Sequence, residues 1–209
     1  GLYAIPARGE WVRTQEKMSD ADYRIYFEEF SPTRYSPKQW AEQARRAGMR
    51  YAVLTAKHHD GFCLFASDHS DFTALHAPAR RDLLLEYVDA FREAGIKVGF
   101  YYSLLDWQHP DYPVDKHHPL RDDATARAGQ RDVTRYVTYL HAQVRELMSN
   151  YGRIDLLWFD FSYDKLSGEA WRAMELIDMI RGLQPHIMLN NRLVAGHEAH
   201  GGGVGLGDF

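Results

Sequence analysis

The chain has 209 residues, which is enough to bury a sizeable core in one or two domains. Hydrophobic residues make up 45% and charged residues 26%, and the formal net charge of −4 lacks the basic excess of a nucleic-acid or membrane-surface binder. Cys63 is the only cysteine, so no disulfide can form within the chain. No apolar stretch has the length of a membrane-spanning helix. Neither a nucleic acid nor a membrane is therefore expected as a partner.

Apolar strand patterns alternate with amphipathic helix patterns along the chain. Strands are predicted at 1–5, 50–56, 98–103, 154–159 and 186–190. Helices are predicted at 37–47, 83–94, 133–151 and 168–183, and a long loop at 104–126. Pro37 and Asp82 mark helix starts, and Gly48, Gly95 and Gly152 mark helix ends. Neither end of the chain carries a start or stop signal, so the chain is expected to be truncated at both ends.

This alternation predicts an α/β fold with a parallel sheet. A doubly wound sheet that bound a dinucleotide would carry a Gly-rich turn after its first strand, and none is present. A (β/α)8 barrel instead gathers polar residues at the C-terminal ends of its strands. Such residues follow the predicted strands here: Lys57, His58, His59, Tyr101, Ser103, Asp160, Asn190, Asn191 and Arg192. Five strands are predicted where a barrel has eight, so residues 1–209 are expected to form an incomplete (β/α)8-like catalytic domain.

The carboxylate of Asp160 is the first candidate for chemistry. It ends an apolar run between Phe159 and Phe161, so it is expected to be partly desolvated and rigidly held, as suits a nucleophile or a general base. The structural alternative is an aspartate that caps the next loop or pairs with an arginine. Trp158 faces the same way because strand side chains alternate. Its indole would make a floor for a sugar ring, although plain core packing is the simpler interpretation.

Tandem histidines follow the strand at 50–56. His58 and His59 converge only if the backbone turns there, in which case one is expected to be structural and the other to bind substrate hydroxyls. A zinc site is the competing interpretation, because Asp60, His69 and His76 supply further ligands. None of these residues has the i, i+4 spacing of a metalloprotease helix.

Three further residues lie at predicted strand ends. Arg192 is placed to clamp an anion, to bond a sugar hydroxyl or to pair with Asp160, and a surface arginine is the structural alternative. Glu10 and Trp11 follow the first predicted strand in a loop, where a solvated pair is the default interpretation.

The segment Lys57-His58-His59-Asp60-Gly61-Phe62 resembles the signature of the α-L-fucosidases of glycoside hydrolase family 29. Other segments resemble the same family in the same order, over the full length of the chain. They are residues 1–7, Gly9-Glu10-Trp11, residues 98–103, Leu157-Trp158-Phe159-Asp160 and Asn190-Asn191-Arg192. The ordered set is specific, whereas no single segment is.

The resemblance implies a retaining exo-glycosidase on a (β/α)8-like barrel, with a fucosylated oligosaccharide or glycoconjugate as its partner and no cofactor or metal. It implies that Asp160 is the nucleophile. It implies that the fucose pocket is lined by His58, His59, Tyr101, Trp158, Arg192, Glu10 and Trp11. The acid/base carboxylate is expected beyond Phe209, because Glu198 lies in the preceding loop but does not match the motif. The C-terminal β-sandwich of the family is not within these 209 residues.

Two other functions stay open from the sequence. A metal-dependent hydrolase on the same barrel would use His58, His59 and Asp160 as ligands, and stoichiometric zinc with loss of activity to a chelator would favour it. A non-catalytic sugar-binding protein descended from such an enzyme would bind fucose without hydrolysing the glycosidic bond.

Overall fold

The computed structural model describes residues 1–3, 5–163, 165–194 and 207–209. Its centre is a four-stranded parallel sheet. The strands are β1 (Tyr51–Lys57), β2 (Lys97–Ser103), β3 (Leu156–Asp160) and β4 (Met188–Leu189). The helices are α1 (Val12–Gln15), α2 (Asp20–Glu28), α3 (Pro37–Arg46), α4 (Leu83–Glu93), α5 (Ala124–Ala128), α6 (Val133–Asn150) and α7 (Ala173–Leu183). Two short 3₁₀ helices lie at Gly168–Trp171 and Asn191–Leu193.

The order of the strands distinguishes a doubly wound sheet from a (β/α)8 barrel, the two architectures considered from the sequence. A doubly wound sheet reverses its strand order at a switch point, since its helices cover both faces. Here β1, β2, β3 and β4 are neighbours in chain order. With right-handed crossovers, this order places the connecting helices on one face of the sheet. The sheet is therefore part of a (β/α)8-type barrel.

The amphipathic helices pack on the outer face of the sheet and bury it. Leu157 and Phe159 on β3 are fully buried on this side. Leu84 on α4 and Leu140 on α6 are also fully buried and belong to the same core cluster. The apolar stripes that predict these helices from the sequence are therefore the stripes that pack on the sheet.

The predicted ends of the helices are confirmed. The Asp82 side chain accepts the N–H of Leu85 at 2.9 Å, as an N-cap does. Gly48, Gly95 and Gly152 follow α3, α4 and α6 with φ of 77°, 74° and 66°. This left-handed conformation stops a helix and favours glycine.

The inner face of the sheet is built in layers, as in a barrel. Thr55, Tyr101 and Trp158 lie side by side in register on β1, β2 and β3. Gly99 lies one layer below, where a Cβ would come within 3.0 Å of the Leu156 Cβ. A glycine at this position lets the neighbouring strand side chains pack across the face.

Two predictions of secondary structure are wrong. The described residues of 1–5 are not in a strand, because the Leu2 N–H donates to a carboxylate oxygen of Asp60 and the Ile5 N–H donates to the Tyr3 carbonyl instead of to a neighbouring strand. The predicted helix at 168–183 is a 3₁₀ turn and α7, separated by Arg172 at a φ of 51°. Among the described residues, no helix combines the length and apolar character that crossing a membrane requires.

Candidate active site

Among the described residues, three donors hold the carboxylate of Asp160 at the C-terminal end of β3. The Tyr101 hydroxyl donates to Oδ2 at 2.8 Å, and the Arg192 guanidinium donates to Oδ1 at 2.5 Å. The backbone N–H of Phe161 donates to Oδ1 at 3.0 Å. The Asp160 side chain is 15% exposed. It is thus oriented from both oxygens and still reaches solvent.

The neighbours of Asp160 bring a hydrogen-bond donor to one of its oxygens and a positive charge to the other. Burial, followed by the charge of Asp160, raises the pKa of Tyr101 well above its ordinary value, so the phenol stays protonated and donates. Arg192 supplies a permanent positive charge on the other oxygen. Phe161 adopts a φ of 73°, which is unusual for a residue with a bulky side chain and turns the chain sharply after the carboxylate.

The two histidines converge, which the sequence allows only if the backbone turns there, and residues 59 and 60 lie in a turn. The rings of His58 and His59 lie 3.9 Å apart. His58 is partly buried, and its ring centroid lies 5.4 Å from that of Tyr101. His59 is fully buried, stacked on Trp107 at 4.2 Å and packed against Trp11 at 4.7 Å. One imidazole therefore borders the Asp160 site, and the other lies in the aromatic wall behind it.

Burial keeps both imidazoles neutral. It lowers the pKa of His58 to about 4 and that of His59 well below the ordinary value of 6.5. A neutral imidazole offers one N–H donor and one nitrogen acceptor. Among the described residues, His58 Nδ1 and both ring nitrogens of His59 are buried without a hydrogen-bond partner. Buried nitrogens of this kind usually have a partner, which a bound ligand or an ordered water would supply.

The lowered pKa of His58 predicts a loss of stability in mild acid. Between pH 6.5 and about 4 the unfolded chain binds a proton that folded His58 rejects. The contribution of neutral His58 to the free energy of unfolding is therefore complete above pH 6.5. It is lost as pH falls toward 4, by about 1.4 kcal/mol for each unit by which the folded and unfolded pKa values differ. Urea unfolding at several pH values should show a smaller pH dependence in His58→Asn than in the parent protein. His186→Asn, at an exposed position, is the control for replacing a histidine elsewhere in the chain.

The remaining predicted site residues, Trp158, Trp11 and Glu10, lie in different surroundings. Trp158 is partly exposed on the inner face, with its ring 5.7 Å from that of Phe209. Trp11 packs against Phe161 at 5.6 Å and so reaches the site. Glu10 is exposed in the loop before α1, and its charge raises the pKa of His58 only as a minor contribution.

Several polar residues at strand ends are structural. The Asn190 side chain accepts the Phe159 N–H at 2.9 Å and donates to the Phe159 carbonyl at 2.8 Å, extending the pairing of β3 and β4. Ser103 is fully buried, and its hydroxyl closes a turn with Leu105. Lys57 is also fully buried and pairs with Asp106. These three side chains therefore hold the backbone around the strand ends.

Residues outside the predicted set also contribute. Tyr3 lies 5.3 Å from His58 between ring centroids, and Trp107 forms the stack under His59. A tryptophan directly after an aspartate in the long loop is the only sequence signal for Trp107. The other two histidines weighed as zinc ligands have different neighbours, since His69 faces Glu146 and His76 bonds Thr73. Among the described residues, no three His, Cys, Asp or Glu side chains converge as a metal site would require.

The last described residues run along the free edge of β4. The Asp208 N–H donates to the Leu189 carbonyl at 2.6 Å, and the Asn191 N–H donates to the Phe209 carbonyl at 3.1 Å. These bonds join the last described residues to β4 and to the segment that follows it. Glu198, the carboxylate in the preceding loop, lies outside the described residues.

Comparison with known proteins identifies the family. The sequence model for "Alpha-L-fucosidase" matches residues 1–207. The human tissue α-L-fucosidase is 26% identical over 97% of this chain and 45% of its own length, and the rat enzyme is 29% identical over 92% and 43%. The chain thus spans less than half the length of these curated relatives.

Solved structures agree with the sequence comparison. α-L-Fucosidase isoenzyme 1 from Paenibacillus thiaminolyticus superimposes with a TM-score of 0.91 at 57% identity, covering 94% of this chain and 47% of that one. AlfC from Lactobacillus casei, solved with α-L-fucose product, superimposes with a TM-score of 0.82 at 28% identity, covering 94% and 67%. By sequence and by fold, the chain belongs to the α-L-fucosidase family.

Proposed function

We propose that the protein is a retaining exo-glycosidase that releases terminal α-L-fucosyl residues from glycans, and that this chain carries its nucleophile. Membership of the α-L-fucosidase family supports the substrate class. The observation that carries the mechanism is the geometry of Asp160, a partly exposed carboxyl group fixed by Tyr101 and Arg192 at the end of a barrel strand.

In the proposed reaction a carboxylate oxygen of Asp160 attacks the anomeric carbon of fucose. The bond from that carbon to the glycosidic oxygen breaks, and the departing oxygen takes a proton from an acid/base carboxyl group. A water molecule then gives one of its own protons to the acid/base carboxylate while its oxygen attacks the anomeric carbon. The bond from that carbon to Asp160 breaks, which frees the Asp160 carboxylate and releases fucose with its original configuration. The negative charge of Asp160 stabilises the oxocarbenium-like transition states on either side of the intermediate.

The acid/base group needs a position about 5–5.5 Å from the Asp160 carboxyl. We propose that it follows Phe209, on the segment that begins along the edge of β4. No cofactor takes part in this reaction.

The proposed sugar pocket combines directional polar groups with aromatic faces. Neutral His58 and His59 would bind hydroxyl groups through their unpartnered nitrogens. Arg192, Tyr101 and Glu10 would supply further hydrogen bonds. Trp158 and Trp11 would pack against the apolar side of fucose.

Product analysis tests this function. The full-length protein, incubated with 4-nitrophenyl α-L-fucoside, is expected to release nitrophenol and to form α-L-fucose before any β anomer appears by ¹H NMR. A 4-nitrophenyl α-D-glucoside should not react. Initial formation of the β anomer would contradict retention.

The same assay separates the alternative functions. Fucose binding without nitrophenol release would favour a non-catalytic sugar-binding protein. Release that is abolished by a chelator and restored by zinc would favour a metal-dependent hydrolase. Full activity in the presence of the chelator is the expected result.

A further inference from the structure

Lys57 and Asp106 form a buried ion pair that the proposed reaction does not use. Lys57 is the first residue of the motif that contains the tandem histidines, and its Nζ lies 2.9 Å from Asp106 Oδ2. The two side chains are 0% and 1% exposed. Burial acts to lower the pKa of Lys57, but the charge of Asp106 raises it above the ordinary value, so the lysine is charged. Such a pair is costly to bury, and a hydrophobic pair would stabilise the fold at least as well.

Asp106 organises the loop that follows β2. Its Oδ1 accepts the backbone N–H groups of Gln108 and His109, each at 3.1 Å. Its Oδ2 accepts the Tyr139 hydroxyl at 3.1 Å in addition to Lys57. The carboxylate therefore closes a turn around residue 107 and ties that turn to the end of β1.

Trp107, at the centre of this turn, holds His59. Its backbone N–H donates to the His59 carbonyl at 2.9 Å. Its indole stacks on the imidazole with 4.2 Å between the centroids and 25° between the planes. Because neither ring nitrogen of His59 has a hydrogen-bond partner among the described residues, ring packing orients the imidazole.

The same carboxylate also supports the backbone after the histidines. Gly61 has a φ of 82°, and a Cβ there would lie 2.3 Å from Asp106 Oδ1. The turn that follows His59 is thus in direct contact with Asp106. The buried Asp106 carboxylate therefore contacts both Lys57, before the histidines, and Gly61, after them.

We propose that Lys57 and Asp106 are positioning residues, which fix Trp107 and through it the orientation of His59 for sugar binding. This inference rests on the proposed function, in which His59 binds fucose. It also gives the lysine of the motif a role that neither the nucleophile nor the sugar pocket accounts for.

The test removes both charges together. In Lys57→Met/Asp106→Asn no buried charge is left unpaired, and the amide oxygen at 106 can still accept the turn N–H groups. We expect kcat/KM for 4-nitrophenyl α-L-fucoside to fall about 30-fold, since small displacements of binding groups have effects of this order. In ¹H NMR, the ring C–H signals of His59, assigned by their loss in His59→Gln, should be shifted upfield by the Trp107 ring current. In the double variant they should move toward ordinary positions.

Gln184→Met is the matched control for a loss of buried polar contacts away from the site. The Gln184 amide donates to the Met148 and Gly152 carbonyls at 2.7 and 2.8 Å and accepts the Ile154 N–H just before β3. This variant should lose stability and keep both the His59 signals and kcat/KM.

The outcomes distinguish a failure of the positioning proposal from a failure of the proposed function. Unchanged His59 signals in the folded double variant would overturn the inference at any level of activity. Shifted signals with an unchanged kcat/KM would overturn the link to sugar binding. If the parent protein does not hydrolyse fucosides but its His59 signals still depend on Lys57 and Asp106, the proposed function fails and the positioning role stands.

Discussion

Replacing Asp160 with Asn is expected to lower kcat for 4-nitrophenyl α-L-fucoside by about 10⁴-fold or more, the scale seen when a covalent nucleophile is removed. An amide is a poor nucleophile and carries no charge to stabilise the oxocarbenium-like transition state. Asn has nearly the same shape as Asp, and Tyr101 and Arg192 can still contact the side chain. The fold should therefore survive, which circular dichroism and urea unfolding can verify.

A second variant distinguishes a nucleophile from a residue that only organises the site. Asp160→Gly leaves space beside the anomeric carbon, and added azide should restore turnover of the activated fucoside by attacking from the side of the missing carboxylate. The product is then the β-fucosyl azide, with inverted configuration. Asp89→Asn, on the exposed side of α4, should retain full activity. Substantial turnover by Asp160→Asn, or no rescue of Asp160→Gly, would contradict the assignment.

The sequence predicts the central part of this arrangement because a parallel sheet aligns its strand ends. Once 98–103 and 154–159 are recognised as neighbouring parallel strands, their final residues must share one edge. Side-chain alternation then puts Trp158 and Asp160 on one face. Tyr101 is implied by the family resemblance, and the structure pairs it with Trp158 in register. The predictions for Trp158 and Asp160 depend only on strand periodicity, which is a strong local signal.

Lys57 shows where local periodicity fails. Alternation along β1 would place Lys57 on the inner face with Thr55, but the register slips between these residues. Lys57 therefore pairs with Tyr102 instead of lying one step further along β2, and its Nζ lies over the Tyr102 ring at 4.5 Å. Such a bulge exchanges the two faces of a strand. Nothing in the composition of the segment marks it, so the sequence cannot decide which of Lys57 and His58 faces the site.

The place of Tyr3 beside the site has no local sequence signal, for a different reason. Tyr3 reaches His58 because the Leu2 N–H and the Tyr23 hydroxyl both donate to Asp60, at 2.7 and 2.8 Å. These contacts join segments that are far apart in the chain. Loops carry no periodic pattern that would place them in advance, and their positions depend on such individual long-range bonds.

Lys57→Met alone is expected to lower the free energy of unfolding by about 3–5 kcal/mol, the usual effect of removing one member of a buried ion pair. The change leaves the Asp106 carboxylate buried, and among the described residues its remaining donors are two backbone N–H groups and the Tyr139 hydroxyl. The loss arises mainly from this uncompensated charge. Lys57→Met/Asp106→Asn should consequently be more stable than Lys57→Met, although it carries one more substitution.

Urea unfolding of the parent and the two variants measures this difference, with Lys97→Met at the exposed start of β2 as the control. The control should change the unfolding free energy by less than about 0.5 kcal/mol, as surface substitutions do. A loss of under about 1 kcal/mol in Lys57→Met would mean that water reaches Asp106 once the lysine is gone. In that case the carboxylate is hydrated, and the ion pair is not needed to hold the turn around Trp107 in place. The unfolding free energy of Lys57→Met therefore tests whether Asp106 is shielded from water, as the proposed positioning of His59 requires.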